Sequence, residues 1–316
     1  MSLDPAYLDY AARRRGMDHD LYPYSNLFER QRVRWPGGAR VAVWCVVSLE
    51  WFPMVPADKP FRAPGHMQTA YPDYRHYTVR EYGTRVGLYR LLDAFASAGV
   101  KASVATNAAI GERYPQVIAD ILAGGHEIIA HSTDMNGTIA TGLAEDEERS
   151  LIANSLDTLE QAAGTRPRGW LSIARSQSWN TPWLLAEAGV DYMCDWPNDE
   201  LPCQMTTPAG GIVNLPLNHE LSDRQVITVQ QQSADSFSQQ IRDAFNWLEV
   251  EAEQFGGRML PLHLTPYIIG LPYRIGALED LLGWLRDRGA WFARGDELLD
   301  AWSAQSPPRD GEGDHA

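Results

Sequence analysis

Residues 40–48 read RVAVWCVVS, an almost unbroken apolar run with the length of one β-strand. A strand that is apolar at nearly every position is buried on both faces, which is typical of a parallel sheet covered by helices. Further strand-like runs follow it: Val100–Thr106, His126–Ser132, Gly169–Ile173, Val190–Asp195, Ile212–Leu215, Val226–Val229, Arg258–Leu264 and Ala290–Ala293. Helical patterns lie between many of these runs, so the sequence predicts an α/β chain whose βα units form a barrel.

The helical patterns have recognisable ends. The stretch EYGTRVGLYRLLDAFASAG repeats apolar residues at intervals of three and four and ends at Gly99, a residue type that commonly terminates helices. A second stretch, LAEDEERSLIANSLDTLEQAAG, has an acidic first turn and ends at Gly164. Hydrophobic residues make up 44% of the chain, which is enough for a substantial core.

We expect one domain with two flanking segments. Residues 36–304 would form the barrel, and residues 1–35 an N-terminal extension that wraps the barrel or a neighbouring subunit. This arm interleaves aromatic residues with arginines, a composition favoured in interfaces, and we expect a homo-oligomer, a dimer or tetramer. Residues 305–316 read as a disordered tail. The loop at residues 61–77 is a candidate lid over the site.

Charge and composition exclude several classes of partner. The 41 acidic residues outnumber the 27 basic ones and give a formal net charge of −14. This charge repels nucleic-acid phosphates and anionic lipids, so we expect neither nucleic-acid nor membrane binding. The three cysteines form no disulfide or CxxC pattern, and the N-terminus lacks the apolar run of a secretory signal. These features favour a cytoplasmic protein with a small-molecule substrate.

Polar residues recur where the predicted strands end. Glu50 follows the first strand, and His131 and His263 lie at the ends of two later strands. Further charged residues follow other strands: Arg175, Asp199, Glu200 and Arg274. Because catalytic residues of barrels lie at the carboxyl ends of strands, this set predicts a site with a general base, a general acid and donors for an oxyanion. Trp51 and Trp170 are candidates for stacking on a flat ring substrate.

Several passages resemble one enzyme family. GGHEIIAHS (124–132) resembles the GHEIxxH stretch of the polysaccharide deacetylase superfamily, the NodB-homology fold. TRPRGW (165–170) and HLTPYIIGLPYRI (263–275) are more specific, and resemble the branch that contains bacterial allantoinases and cyclic imide hydrolases. With weaker passages the resemblance spans about residues 35–302. It implies a distorted (β/α)7-type barrel, hydrolysis of a carbon–nitrogen bond and a role in carbohydrate metabolism.

The resemblance also implies roles for particular residues. Glu50 corresponds to the family's catalytic base, and His263 to its general acid. Trp51 and Met135 stand at two positions where the metal-dependent members have metal ligands, while His131 keeps a third. A thioether and an indole are poor zinc ligands. Zinc would therefore depend on His131 with Glu50 or Asp134, an incomplete set, and no cofactor is expected with certainty.

Three functions stay open at this point. The leading one is opening of a small cyclic amide, imide or ureide such as allantoin, with His131 and an arginine binding the oxyanion and Trp51 removing Glu50 from water. Such a ring is more electrophilic than an acetamide, which suits a site without its full ligand set. The alternatives are a metal-dependent N-deacetylase of an acylated amine or amino sugar, and a catalytically inactive barrel used for binding.

Overall fold

A computed structural model describes residues 19, 21–55 and 74–305 of the chain. Its nine strands form one sheet. In chain order they are β1 (Val41–Leu49), β2 (Ala102–Thr106), β3 (Glu127–Ala130), β4 (Gly169–Trp170), β5 (Tyr192–Met193), β6 (Cys203–Thr207), β7 (Gly210–Asn214), β8 (Arg258–Leu264) and β9 (Trp291–Phe292).

The sheet curls into a half-barrel. Its strands follow the order β6-β7-β5-β4-β3-β2-β1-β8, and β9 pairs with β1. All pairs are parallel except β6 with β7. The expected distorted (β/α) barrel in a single domain is therefore confirmed, and the distortion consists in an open path from β6 to β8 rather than a closed ring.

Helices connect the strands. They are α1 (Tyr74–Tyr82), α2 (Leu88–Ala98), α3 (Ala108–Arg113), α4 (Pro115–Ala123), α5 (Glu145–Ala163), α6 (Thr181–Glu187), α7 (Ala234–Phe255), α8 (Pro266–Ile269), α9 (Ile275–Asp287) and α10 (Gly295–Ser303). Two π-helical turns lie at Gly83–Gly87 and Arg224–Val229, and two 3₁₀ turns at Pro36–Gly38 and Ile173–Arg175. None of the helices in the described ranges is long and apolar enough to cross a membrane.

Strand β1 is buried on both faces, as its composition predicts. Its odd-numbered residues Val41–Leu49 belong to the larger core cluster, together with apolar residues of the covering helices. The even-numbered residues Ala42, Trp44 and Val46 belong to a second cluster that includes Tyr192 and Leu298 of α10. Because both faces are packed, no position of β1 tolerates a polar side chain before the carboxyl end of the strand, where Ser48 and Glu50 lie.

One strand prediction was wrong and one strand was missed. Val226–Val229 lies in the π-helical turn Arg224–Val229, with Val226 and Ile227 buried and Val229 exposed. A four-residue apolar run does not distinguish a strand from a buried helical turn, so the tertiary packing decides. The unpredicted strand β6 forms a hairpin with β7, and its sequence CQMTT has little apolar character.

A close backbone approach fixes the position of α8. The π-helical turn Gly83–Gly87 joins α1 to α2 and packs against α8. A Cβ atom at Gly87 would collide with the carbonyl oxygen of Pro266, so only glycine permits this contact. The contact holds Tyr267 of α8, which is buried, beside the carboxyl end of β1.

The described part of the N-terminal arm packs on its own chain. Trp35 is buried and donates a hydrogen bond from Nε1 to the carbonyl oxygen of Arg258 at 2.7 Å. The Thr206 amide of β6 donates to the carbonyl oxygen of Leu21 at 2.7 Å. The expected roles of residues 1–18 and of the tail at 306–316, and most of the expected lid at 61–77, fall outside the described residues. A crossing of the arm to a neighbouring subunit stays a proposal.

The buried residue His126 should make the fold sensitive to acid. Its Nδ1 accepts a hydrogen bond from the Ala102 amide at 3.0 Å, and burial, with the charges of Lys101 and Arg294, lowers the pKa of His126 to about 4. The unfolded chain binds this proton near pH 6.5, so stability is lost as the pH falls from about 6.5 towards 4. At pH 5 the loss amounts to about 2 kcal/mol.

We expect His126→Asn, which keeps an acceptor but does not titrate, to lose about 2 kcal/mol less between pH 7.5 and pH 5 than the wild type. Urea denaturation at both pH values measures this difference, and His19→Asn serves as the comparison variant. Equal losses in the wild type and His126→Asn would show that this histidine does not govern acid sensitivity.

Candidate active site

A cavity of about 430 Å³ opens at the carboxyl ends of the strands. Its polar side chains come from β1 and β8, from the residues directly after β1 and β3, and from the segments that follow β4 and β7. The lining residues are Ser48, Glu50, His131, Leu171, Ser172, Ala174, Arg175, Pro197, His219, Glu220, Ser222, Arg224 and His263. The structure therefore brings together four of the residues that the sequence analysis singled out: Glu50, His131, Arg175 and His263.

Glu50 forms a buried ion pair in this cavity. Arg224 Nη2 donates to Glu50 Oε1 at 2.6 Å, and Tyr267 Oη donates to Glu50 Oε2 at 2.6 Å. The side chains of Glu50 and Arg224 are 4% and 10% exposed. Arg224 Nη2 also lies 3.0 Å from Tyr267 Oη, so the three groups form one network. Both carboxylate oxygens are thus held in one orientation by donors.

The hydrogen bonds of His131 fix its tautomer. Its Nδ1 lies 2.6 Å from the carbonyl oxygen of Leu171, which only accepts, so Nδ1 carries the proton and donates. Its Nε2 is buried and has no hydrogen-bond partner among the described residues. Burial lowers the pKa of His131, although the Glu50 charge opposes this, so the ring is neutral near pH 7. The Nε2 atom therefore presents a lone pair.

His263 has the opposite tautomer. Arg175 Nη2 lies 3.3 Å from Nδ1, and because a guanidinium only donates, Nδ1 accepts. Its Nε2 then carries the proton and donates to Ser48 Oγ at 2.7 Å. Burial and the charges of Arg175 and Arg224 lower the pKa of His263 well below its ordinary value. The residue is neutral near pH 7, so it acts as a hydrogen-bond donor and not as an imidazolium acid.

Arg175 reaches the cavity through a strained turn. Ala174 and Arg175 have φ angles of 54° and 55°, a region that non-glycine residues rarely adopt. The turn begins at Ser172, whose amide and hydroxyl donate to the buried Asp195 carboxylate at 2.7 and 3.0 Å. Burial raises the pKa of Asp195 to about 6. Consecutive strained residues are maintained only where the surroundings hold them, and here they aim a cation at His263.

Several residues of the candidate site were not predicted from the sequence. Ser48, Arg224 and Tyr267 contact the predicted residues directly, while Asp195 and Asp223 support them. Asp223 accepts the Thr265 amide at 2.7 Å, and burial raises its pKa to about 7. One signal was present: Asp223 and Arg224 lie just before an apolar run and are separated from it only by Gln225. The interpretation of that run as a strand concealed them.

Other predicted residues lie outside the cavity. Trp51 lines a neighbouring cavity with Asp134, and its ring lies under the Arg113 guanidinium at 4.8 Å from the ring centroid. Trp170 is fully buried in the core, and so does not stack on a substrate. Asp199 pairs with Arg30 at 2.5 Å, and Glu200 pairs with Arg258.

Arg274, the last of the predicted residues, also lies outside the cavity. It donates to the carbonyl oxygen of Ile268 at 3.1 Å and so holds the end of α8 in place. Its guanidinium also lies 5.0 Å from the ring centroid of Tyr273.

Comparisons with known proteins agree with this geometry. Residues 81–193 match the family model described as polysaccharide deacetylase. Over these residues the chain is similar to a polysaccharide deacetylase domain. A putative polysaccharide deacetylase of Schizosaccharomyces pombe is 24% identical over 302 residues, which cover 86% of this chain and 93% of the relative.

Two crystal structures are also similar. A probable polysaccharide deacetylase from Pseudomonas aeruginosa has a TM-score of 0.80 and 27% identity, and covers 90% of this chain and 99% of its own. PuuE allantoinase has a TM-score of 0.77 and 26% identity, with the same coverage of 90% and 99%. The expectation of an amidohydrolase of the polysaccharide-deacetylase type, acting on carbon–nitrogen bonds, is confirmed.

The described residues of this domain do not fit a catalytic metal ion. Within residues 19, 21–55 and 74–305, no group of three His, Cys, Asp or Glu side chains is arranged to hold one. Glu50 already accepts from Arg224 and Tyr267, Asp134 lines the neighbouring cavity, and Met135 is buried in the core. His131 is therefore left without the partners that a three-ligand zinc site requires.

The Glu50–Arg224 pair should be strongly coupled in stability. We expect Arg224→Met to lower the free energy of unfolding by about 3–5 kcal/mol, because it leaves a buried carboxylate without its partner. Adding Glu50→Gln should recover part of this loss, since no unpaired charge remains. Urea denaturation of the two single variants and the double variant measures the coupling energy.

Arg149→Met is the matched control. Arg149 pairs with Glu145 and Glu187 on the surface, where water already solvates both charges, so its removal should have little effect. If Arg224→Met is as stable as the control, the buried pair does not hold the site together.

Proposed function

We propose that the chain hydrolyses a carbon–nitrogen bond of a small cyclic amide, imide or ureide, of which allantoin is an example, without a metal ion. The observation that supports this most is the buried Glu50–Arg224 pair, which stands in the cavity where a metal-dependent enzyme needs open ligands. A cavity of about 430 Å³ suits a small molecule. One similar structure, at 26% identity, is an allantoinase.

Glu50 is proposed as the base that activates water. A carboxylate has about four lone-pair positions, and Arg224 and Tyr267 occupy one on each oxygen. The remaining lone pairs are available to a water molecule in the cavity. As the water oxygen adds to the ring carbonyl, Glu50 takes one of its protons and later returns it to the departing nitrogen. The ring C–N bond breaks, and the products are a carboxylic acid and a free amide or amine nitrogen.

Charge on the oxyanion is stabilised by fixed guanidinium groups. Arg175 and Arg224 both line the cavity, and because Arg224 is buried and Arg175 half-buried, little water competes with them. A preorganised donor of this kind contributes about 3–4 kcal/mol to the transition state. His131 was also expected to bind the oxyanion, but its Nε2 lone pair repels a negative charge, so we assign the oxyanion to the arginines.

His263 is proposed to help the departing nitrogen. Its neutral ring donates from Nε2, a proton that it shares with Ser48 in the structure. The proposed role of general acid thus becomes that of a hydrogen-bond donor, because the lowered pKa of His263 keeps the ring uncharged. The nitrogen of an imide or ureide leaves more readily than that of an acetamide, so a weaker donor is sufficient.

A second candidate is metal-dependent N-deacetylation of an acylated amine or amino sugar. The names of the relatives from Schizosaccharomyces pombe and Pseudomonas aeruginosa favour it, because both are described as polysaccharide deacetylases. The donor set of the cavity disfavours it, since Glu50 is paired with a cation rather than open to one.

A small diffusible substrate accords with the expected cytoplasmic location. The aromatic and arginine-rich N-terminal arm accords with the expected homo-oligomer. Both remain proposals, as does the catalytic role of each cavity residue.

The proposed base can be tested on a panel of hydantoins, imides and ureides. We expect Glu50→Gln to keep the fold and lower kcat by at least about 100-fold on the best ring substrate, because the base is lost. Glu279→Gln, a change at an exposed position of α9 outside the cavity, is the control and should stay within a factor of about two. A Glu50→Gln enzyme with near wild-type kcat means that another group activates the water.

The absence of a metal requirement is a separate prediction. Protein treated with a chelator and then freed of it should retain its kcat/KM on the ring substrate, because the described residues offer no three-ligand site. Metal analysis of the purified protein should find zinc well below one equivalent. Stoichiometric zinc whose removal abolishes activity would overturn the metal-free mechanism and favour the deacetylase.

A further inference from the structure

His131 has no task in the mechanism above, although it is among the most buried polar residues of the cavity, at 3% exposed. Its Nδ1 proton is committed to the Leu171 carbonyl oxygen at 2.6 Å, so its Nε2 can only accept while the ring is neutral. Burial, assisted by the charges of Arg224 and Arg175, lowers the pKa of His131 and keeps the ring neutral.

The other buried side-chain acceptors of the cavity already accept hydrogen bonds, and the water that Glu50 is proposed to activate takes a remaining lone pair of its carboxylate. Both oxygens of Glu50 accept from Arg224 and Tyr267, and Nδ1 of His263 accepts from Arg175. His219 also lines the cavity, and its Nδ1 lacks a partner among the described residues, but no carbonyl fixes its tautomer. His131 Nε2 is therefore the acceptor in this cavity whose direction and protonation state the fold determines. A buried acceptor of this kind matches a donor on the ligand.

We propose that His131 accepts a hydrogen bond from a ring N–H of the substrate, next to the scissile carbonyl, and so selects rings whose nitrogen is unsubstituted. This inference rests on the proposed function and names the feature that the site recognises in its substrate. Imides and ureides present an N–H beside carbonyl oxygens, an edge with alternating acceptor and donor groups. The cavity presents the complementary set: the guanidinium donors of Arg175 and Arg224, and the acceptor of His131.

Holding the N–H also serves the chemistry. When water adds to the carbonyl, the ring nitrogen loses its planarity and develops a lone pair. An N–H that is held by His131 fixes the direction of that lone pair relative to the ring. The lone pair of the ring nitrogen then points away from His131. A proton donor on the opposite side of that nitrogen can therefore protonate it.

The experiment compares matched ring pairs that differ by one methyl group. Glutarimide is paired with N-methylglutarimide, and hydantoin with its two N-methyl derivatives. For the wild type we expect kcat/KM to be at least about 100-fold higher for the N–H ring than for the N-methyl ring. When the N-methyl ring is bound, it offers no donor, and the buried Nε2 of His131 stays without a hydrogen bond. His131→Leu should remove most of this preference by slowing the N–H ring while leaving the N-methyl ring almost unchanged.

Two further variants separate recognition from general damage. His131→Gln places a carbonyl oxygen near the position of Nε2 and should restore most of the preference. Glu279→Gln, at an exposed position of α9 outside the cavity, should retain the preference fully. Circular dichroism and urea denaturation report whether each variant is folded. A His131→Leu protein that slows both members of a pair equally, or a wild type that does not discriminate between them, overturns the inference.

Failure of the proposed function gives a different result. If the wild type turns over none of the rings, the same pairs are tested for binding by titration calorimetry. Tighter binding of the N–H ring by the wild type, with equal binding of both rings by His131→Leu, would support the role of His131 while the proposed reaction is rejected. A wild type that binds neither ring, or both equally, overturns the inference.

Discussion

The site depends on the ion pair between Glu50 and Arg224. The two residues are 174 positions apart in the sequence, and the pair joins the end of the first strand to the π-helical turn that follows the hairpin β6–β7. Tyr267 adds the short helix after β8 to the same contact. A buried pair is costly to desolvate and is seldom favourable compared with apolar packing. Its presence here is understandable if the charges themselves are needed, as they are when a carboxylate must face a small cavity in one orientation.

The balance of charge in the cavity follows from the two arginines. A metal ion in a deacetylase supplies two positive charges at one point, whereas Arg175 and Arg224 supply two charges at separate points. Their proximity contributes to the lowered pKa of His131 and of His263. Burial raises the pKa of Asp195 and of Asp223, although the neighbouring arginine opposes the shift in each case. The two arginines are thus permanent charges that shift the pKa values of the neighbouring histidines and carboxylates.

Much of the fold was predictable because burial leaves a direct mark on the sequence. β1 is buried on both faces and therefore apolar throughout, and Gly99 and Gly164 adopt the left-handed conformation at helix ends. Glu50, His131 and His263 were predicted together because the carboxyl ends of parallel strands meet at one edge of the sheet. Arg224 and Tyr267 were not, because a π-helical turn and a four-residue helix owe their orientation to tertiary packing, including the contact of Gly87 with Pro266.

Proximity to a strand end also predicted residues that point elsewhere. Successive side chains of a strand alternate between faces, so Trp170 on β4 faces the core although its neighbour Leu171 lines the cavity. Asp199 and Glu200 follow β5 in sequence, but each pairs with an arginine outside the cavity, Arg30 and Arg258. A sequence pattern locates the backbone at the mouth of the barrel and does not say which charged partner a side chain will find there.

The two cavity histidines, His131 and His263, have opposite hydrogen-bonding roles because their partners differ. The Leu171 carbonyl oxygen makes His131 an acceptor at Nε2, and the Arg175 guanidinium makes His263 a donor at Nε2. Neither ring has to change its charge to fulfil its part, because each is already neutral near pH 7. One acceptor and one donor, held in opposite tautomers within a single cavity, match a ring whose departing nitrogen offers its N–H to the acceptor and, once water has added, its lone pair to the donor. The strained backbone at Ala174 and Arg175 is then explained, since without it the guanidinium would not reach His263 and the tautomer of that ring would be free to change.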